Sequence, residues 1–118
     1  MRKIKPVKYI SGKKYYALTL NGTTSLIGFV VDSYSNNDNL YLGLVTETGE
    51  PYADVTTNIE WMADPDWACI DVNNLTPAIL PWLESIGAGR VLEGRHIHSG
   101  WCDYPMFAFS DKFLDDIG

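Results

Sequence analysis

The alternation of side chains between Leu40 and Ile59 constrains this chain more than any other feature. Leu40, Leu42 and Leu44 recur at every second position up to Thr46, and residues 51–59 alternate again after Glu47-Thr48-Gly49-Glu50. A period of two is the repeat of an extended strand with one face turned to a core, and a polar segment carrying glycine reverses the chain. The segment therefore predicts an antiparallel hairpin of 40–46 against 51–59. Ala53, Val55, Thr57 and Ile59 form the inward row of the second strand, and Tyr52, Asp54, Thr56 and Asn58 the outward one. Pro51 opens that strand, where its missing N–H is least disruptive.

The rest of the chain is assigned from this hairpin outward. Residues 7–20 read as two short strands around Ser11-Gly12, with Tyr16, Leu18 and Leu20 on one face and Tyr15, Ala17 and Thr19 on the other. Asn21-Gly22 is the strongest tight-turn signal, and 25–32, dense in Leu, Ile, Phe and Val, could start a short helix but reads in preference as the returning strand. Residues 33–39 form a polar loop, 60–67 a connection with two tryptophans, and 68–72 a short strand ended by Asn73-Asn74. One helix follows. Thr76 offers a cap, Pro77 suits a first helical position, and Ile79, Leu80, Leu83 and Ile86 make an apolar stripe stopped by Gly87. Pro81 removes one hydrogen bond near its start, so the first turn is irregular or the helix begins after it. Residues 89–100 read as a connection, 101–109 as a strand that Pro105 places at an edge or a bulge, and 110–118 as a loose turn. The 118 residues suit one domain spanning 1–118. The expected fold class is α+β: an antiparallel sheet of about five to six strands with one main α-helix packed on one face.

No apolar stretch approaches the roughly 20 residues of a membrane span, and no apolar run follows the basic N-terminus as in a signal peptide. Two cysteines, Cys69 and Cys102, are too few for a disulfide framework and read as reduced thiols of a soluble cytoplasmic protein.

Charge is sharply divided. Arg2, Lys3, Lys5, Lys8, Lys13 and Lys14 give the first fourteen residues +6, whereas beyond them only Arg90, Arg95 and Lys112 stand against all fifteen acids, −12. This has two readings. Acids keep a small domain soluble while the basic segment offsets them. Alternatively, the acidic face binds the basic, nucleic-acid-facing groove of another protein, its carboxylates standing where phosphates would lie. Direct binding of nucleic acid is disfavoured, because most of the chain would repel phosphate.

Residues 93–104 hold the densest reactive side chains. His96 and His98, two apart, share a face of an extended segment, with Cys102 and Asp103 close behind. These types suit a metal site or a small hydrolase. However, a structural zinc site needs a second pair of ligands, and groups so close in sequence rarely converge on a nucleophile. No catalytic residue, metal ligand or cofactor is therefore assigned. Phosphate-loop and dinucleotide glycine patterns are absent. Trp61, Trp67, Trp101 and Tyr104 either fill the core or anchor an interface.

Gly49-Glu50-Pro51-Tyr52-Ala53-Asp54-Val55-Thr56-Thr57-Asn58, the Asp71-Val72-Asn73-Asn74 turn and Ser99-Gly100-Trp101-Cys102-Asp103-Tyr104-Pro105 resemble the motifs of an uncharacterised family. Its members are small proteins of phages, plasmids and conjugative elements of gut Firmicutes and Bacteroidetes, and the likeness covers roughly residues 40–109. The family carries no activity to transfer. What the resemblance implies is a setting, a bacterial host cell, in which small acidic proteins often bind defence machinery. The expectation is thus a non-enzymatic accessory protein of a mobile element, a protein-binding inhibitor of a host defence nuclease of the anti-CRISPR or antirestriction type. Its contacts would be Asp32, Asp38, Glu47, Glu50, Asp54, Glu60, Asp64, Asp66, Trp101 and Tyr104. The partner would be a host protein such as a nucleic-acid-binding nuclease, with no nucleic acid bound directly and no membrane. The alternatives are the small enzyme at His96, His98, Cys102 and Asp103, and a homodimer or larger assembly formed through Trp101 or an open strand edge.

Overall fold

The computed structural model describes residues 8–10 and 13–117. Strands β1 (Lys8–Ile10), β2 (Lys13–Leu20), β3 (Thr23–Ser33), β4 (Leu40–Thr46) and β5 (Pro51–Asp54) form a five-stranded antiparallel meander in chain order. The expected break between β1 and β2 falls at Ser11-Gly12, outside the described residues. Asn21 and Gly22 join β2 to β3 with both φ angles positive (51° and 79°), the geometry whose twist matches the strands it connects. Leu18, Leu42 and Leu44 are buried along the inner face, as the alternation requires.

In place of one sheet the described residues form two, because the strand read as 51–59 stops at Asp54. The chain crosses at Val55 into β6 (Thr56–Thr57), the first strand of a four-stranded sheet that also holds β7 (Trp67–Ile70), β8 (Gly89–Ser99) and β9 (Cys102–Phe109) in the order β6-β7-β9-β8. Backbone bonding fixes the crossing. The Val55 N–H donates to the Leu42 carbonyl at 2.9 Å, and the Val55 carbonyl accepts from Asp71 N–H at 2.9 Å. Thr56, expected on the outward row, is buried, and its Oγ1 accepts from Leu42 N–H at 3.2 Å. A strand that changes sheets cannot keep a single inward row.

The segment 89–99, read as a connection, is a long strand. Its polar composition conceals the pairing with β9, and the register shifts between Val91 and His96. Pro105 pairs with His96 just past this bulge, and β7 reaches only as far as the Cys69–Met106 pair. The proline's missing N–H therefore meets an irregular register on one side and lies past the last β7 pair on the other.

Among the described residues two short helices cover the layers, not one. In α1 (Ile79–Ser85), Pro81 is the third residue, where an N–H has no intrahelical partner in any case, so the helix includes it. Ala78 holds the cap position instead of Thr76, whose Oγ1 accepts from Ala78 N–H at 3.2 Å in the entering turn. Gly87, with φ of 83°, ends the helix in the double-bonded glycine stop: Ala88 N–H reaches the Leu83 carbonyl at 2.9 Å and Gly87 N–H that of Glu84 at 3.1 Å. The tail read as a loose turn is α2 (Asp111–Ile117), which docks because Phe113 is buried.

Phe29 of β3 is where these pieces meet. Its ring stacks on Trp82 of α1 (centroids 5.9 Å) and makes edge contacts with Tyr16 of β2 (6.0 Å) and Phe113 of α2 (5.2 Å). Trp82 Nε1 also donates to the Ala17 carbonyl at 2.9 Å, so the indole is satisfied while buried. Phe29→Ala is expected to lower unfolding free energy by about 3–5 kcal/mol, read from the denaturant midpoint at constant slope. Gly87→Ala should cost about 1 kcal/mol through its positive φ.

Candidate functional site

Past the bulge, β8 and β9 continue as a two-stranded arm. His96 and His98 lie on one face, their Nδ1 atoms 3.4 and 3.8 Å from the two carboxylate oxygens of Asp103. Cys102 pairs with Ser99 and Tyr104 with Ile97, positions that alternation puts on the opposite face. The constellation considered from sequence is therefore divided, with both histidines and Asp103 together and the thiol turned away. Among the described residues no group of three or more His, Cys, Asp or Glu is placed to hold a metal ion. Cys69 is buried, and burial, with the Glu60 carboxylate second, pushes its thiol up to about 11, so it is no nucleophile at neutral pH.

The face of the four-stranded sheet away from the main core carries a small second cluster of Met62, Cys69, Leu92 and Met106, covered by the connection from β6 to β7. Asn39, a buried residue at the end of the β3–β4 loop, fixes that connection. Its Nδ2 donates to the Glu60 carbonyl (2.7 Å) and to Asn58 Oδ1 (3.0 Å), and its Oδ1 accepts from Met62 N–H (2.9 Å). Trp61, held between those two bonded residues, is 67 % exposed. Trp101, in the turn at the tip of the arm, is fully exposed.

A groove of ≈ 460 Å³ opens between residues 60–63 and the bulge, lined by Trp61, Met62, Trp67, Arg95, Ile97 and Met106 among others. The Arg95 guanidinium lies 5.2 Å from the centre of the Trp67 ring. Arg90 and Trp67 are both in register with Ala108, from either side of β9. Both arginines are exposed, and among the described residues neither makes an ion pair.

The acids singled out from sequence fall in several places. Asp32 is in register with Tyr41, whose hydroxyl donates to Asp54 at 2.6 Å. That bond, with burial second, pushes Tyr41 up to about 12. Asp38 lies in the β3–β4 loop, and Glu47 and Glu50 lie exposed at the β4–β5 turn. Glu60 lines the groove. Asp64 and Asp66 sit just before β7, where the Asp64 carboxylate accepts from Asp66 N–H at 2.9 Å. Asp66 is pushed up to about 6, first by its hydrogen bond with the Asp111 carboxyl of α2, then by burial and by the charges of Asp111, Asp64 and Asp115. Tyr104 packs against the second cluster.

This surface falls within one family pattern. Residues 28–116 match a family described as a domain of unknown function, DUF4313. The chain belongs to that family. Its match runs from within β3 into α2, wider than the 40–109 of the resemblance, and includes the groove and the arm. No curated protein and no solved structure matches the chain.

Sequence reasoning passed over the two arginines of this DUF4313 domain as ordinary cations and Asn39 as loop polarity. The signal for the arginines was their rarity, two of only three cations after Lys14. Nothing in the sequence marks Asn39, whose partners lie about twenty residues away.

Asn39→Ala should destabilise by about 1–3 kcal/mol by leaving its buried partners unpaired, and should broaden the Trp61 indole signal in NMR. Asp66, protonated more readily folded than unfolded, contributes stability below its ordinary value of 3.8 that is lost as pH rises to about 6. Asp66→Asn should therefore flatten the stability–pH profile between those values. With solvent screening allowed for, it should raise neutral-pH stability by about 1 kcal/mol.

Proposed function

We propose that this domain is a non-enzymatic binding protein that recognises another protein through the outer side of its four-stranded sheet. One observation carries the reading: Trp61, Trp67, Trp101, Tyr104, Arg90 and Arg95 gather on the groove, the sheet edge beside it and the arm. Tryptophan, tyrosine and arginine are the residues that dominate binding energy at protein interfaces, and exposed indoles recover free energy when a partner covers them. The separation of Cys102 from the two histidines weighs against the small hydrolase.

The narrower reading places the domain on a mobile genetic element in a bacterial cytoplasm, inhibiting a host defence nuclease. It draws its support from the resemblance together with the acidic balance beyond Lys14. Asp32 and Asp54, on either side of Tyr41, and Asp64 with Asp66 are where a basic groove would meet carboxylates in place of phosphates.

Pull-down of purified restriction and CRISPR effectors at low and raised salt tests both levels. Capture by the wild-type domain is expected, with Trp61→Ala and Trp101→Ala each weakening it about tenfold, a loss of about 1.4 kcal/mol. Capture unaffected by either substitution rejects the surface, and capture indifferent to salt rejects the electrostatic part.

A further inference from the structure

Two of the three cations after Lys14 stand on the edge strand β8, and among the described residues both remain without an ion pair in a chain of fifteen carboxylates. Arg95 is steadied over the Trp67 ring at 5.2 Å, a contact that orients the guanidinium without neutralising it. Arg90 lies across β9 from the same tryptophan. The adjoining groove of ≈ 460 Å³ is lined in part by Met62 and Met106, whose unbranched side chains adapt to apolar groups of different shape. Exposed guanidinium groups beside an adaptable apolar groove describe a ligand that is anionic and apolar at alternate points.

The geometry points to this groove as the docking site of an extended acidic segment of a partner protein, with an apolar side chain against Trp61 and Met62 and carboxylates on Arg90 and Arg95. The inference rests on the protein-binding reading above and adds the chemistry that the partner presents. A guanidinium offers paired N–H donors matched to a carboxylate and is weakly hydrated, so the contact survives partial desolvation. A single nucleic-acid strand is also anionic and stacks on tryptophan. It carries a charge at every link, however, and Glu60 and Glu93 share the rim with the arginines. A peptide places carboxylates only where the arginines stand. Side chains carry this recognition, not strand addition: the Val91 amide at the start of the edge is already held by the Glu84 carboxylate of α1 at 3.2 Å, and the bulge breaks the strand beyond it.

The test is titration of the full chain, ¹⁵N-labelled, with a short peptide of alternating Glu and Leu, the same peptide with Lys for Glu, and a short oligothymidylate. The Glu–Leu peptide should shift the indole N–H signals of Trp61 and Trp67 and leave that of core Trp82 in place. The double variant Arg90→Ala, Arg95→Ala should weaken this binding about tenfold and Trp61→Ala about fivefold, with the Trp82 signal reporting an intact fold. Equal binding of the Lys peptide, tighter binding of oligothymidylate at the same signals, or unchanged affinity in the arginine variant overturns the assignment. An effector captured equally by wild type and the arginine variant also overturns it, while leaving the protein-binding reading standing. If no effector is captured, that reading loses its support, and the peptide titration still decides the groove.

Discussion

Val55 joins the two halves of this fold. Its N–H is bonded to Leu42 in the first sheet and its carbonyl to Asp71 just past the second, with the side chain wholly buried between. A buried amide without a partner costs free energy comparable to the bond it lacks, so both bonds must form together for the residue to be inside at all. Through that one residue the chain stops being a meander and becomes two layers, and Phe29, Phe107 and Leu83 acquire a common interior. The helices then complete it, each too short to persist alone and each held by aromatic contact with Phe29.

The same crossing builds the candidate surface. Once β6 has been handed to the second sheet, the connection to β7 must pass over that sheet's outer face. Asn39 anchors it there by satisfying three polar groups at once, including the backbone on both sides of Trp61. The indole is thus exposed on a well-fixed support, the condition under which an aromatic side chain binds with little loss of conformational freedom. Elsewhere the acids of this DUF4313 domain are under some strain. The Asp111 carboxyl, burial and the neighbouring acid charges together hold Asp66 above its ordinary value, which is the local cost of crowding carboxylates at the junction of β7 and α2.

Much of the fold was legible, and the failures share a cause. The Asn21-Gly22 turn, the β4 strand, the apolar stripe of α1 and its glycine stop are local features, decided by φ preference and by periodicity within a few residues. The end of β5 at Asp54, the strand nature of 89–99 and the second helix are decided by partners far away in sequence. Residues 89–99 have no apolar alternation because most of their side chains face solvent on an edge strand, and pairing with β9 makes them extended regardless. The short α2 has one buried anchor, Phe113, and its stability lies in the pocket that receives it.

For the site, the sequence by itself determined the residue types: the scarcity of cations after Lys14, the four tryptophans and the His-x-His pair with Asp103. Alternation puts His96 and His98 on one face of any extended segment, but pairing with β9 is what makes 89–99 extended. Only the tertiary structure decided that Cys102 lies opposite them, that Arg90 and Arg95 flank Trp67, and that the acids fall into separate groups. These are facts of register and of sheet order. Pairing energies summed over a whole core set them, and no window of the sequence contains that sum.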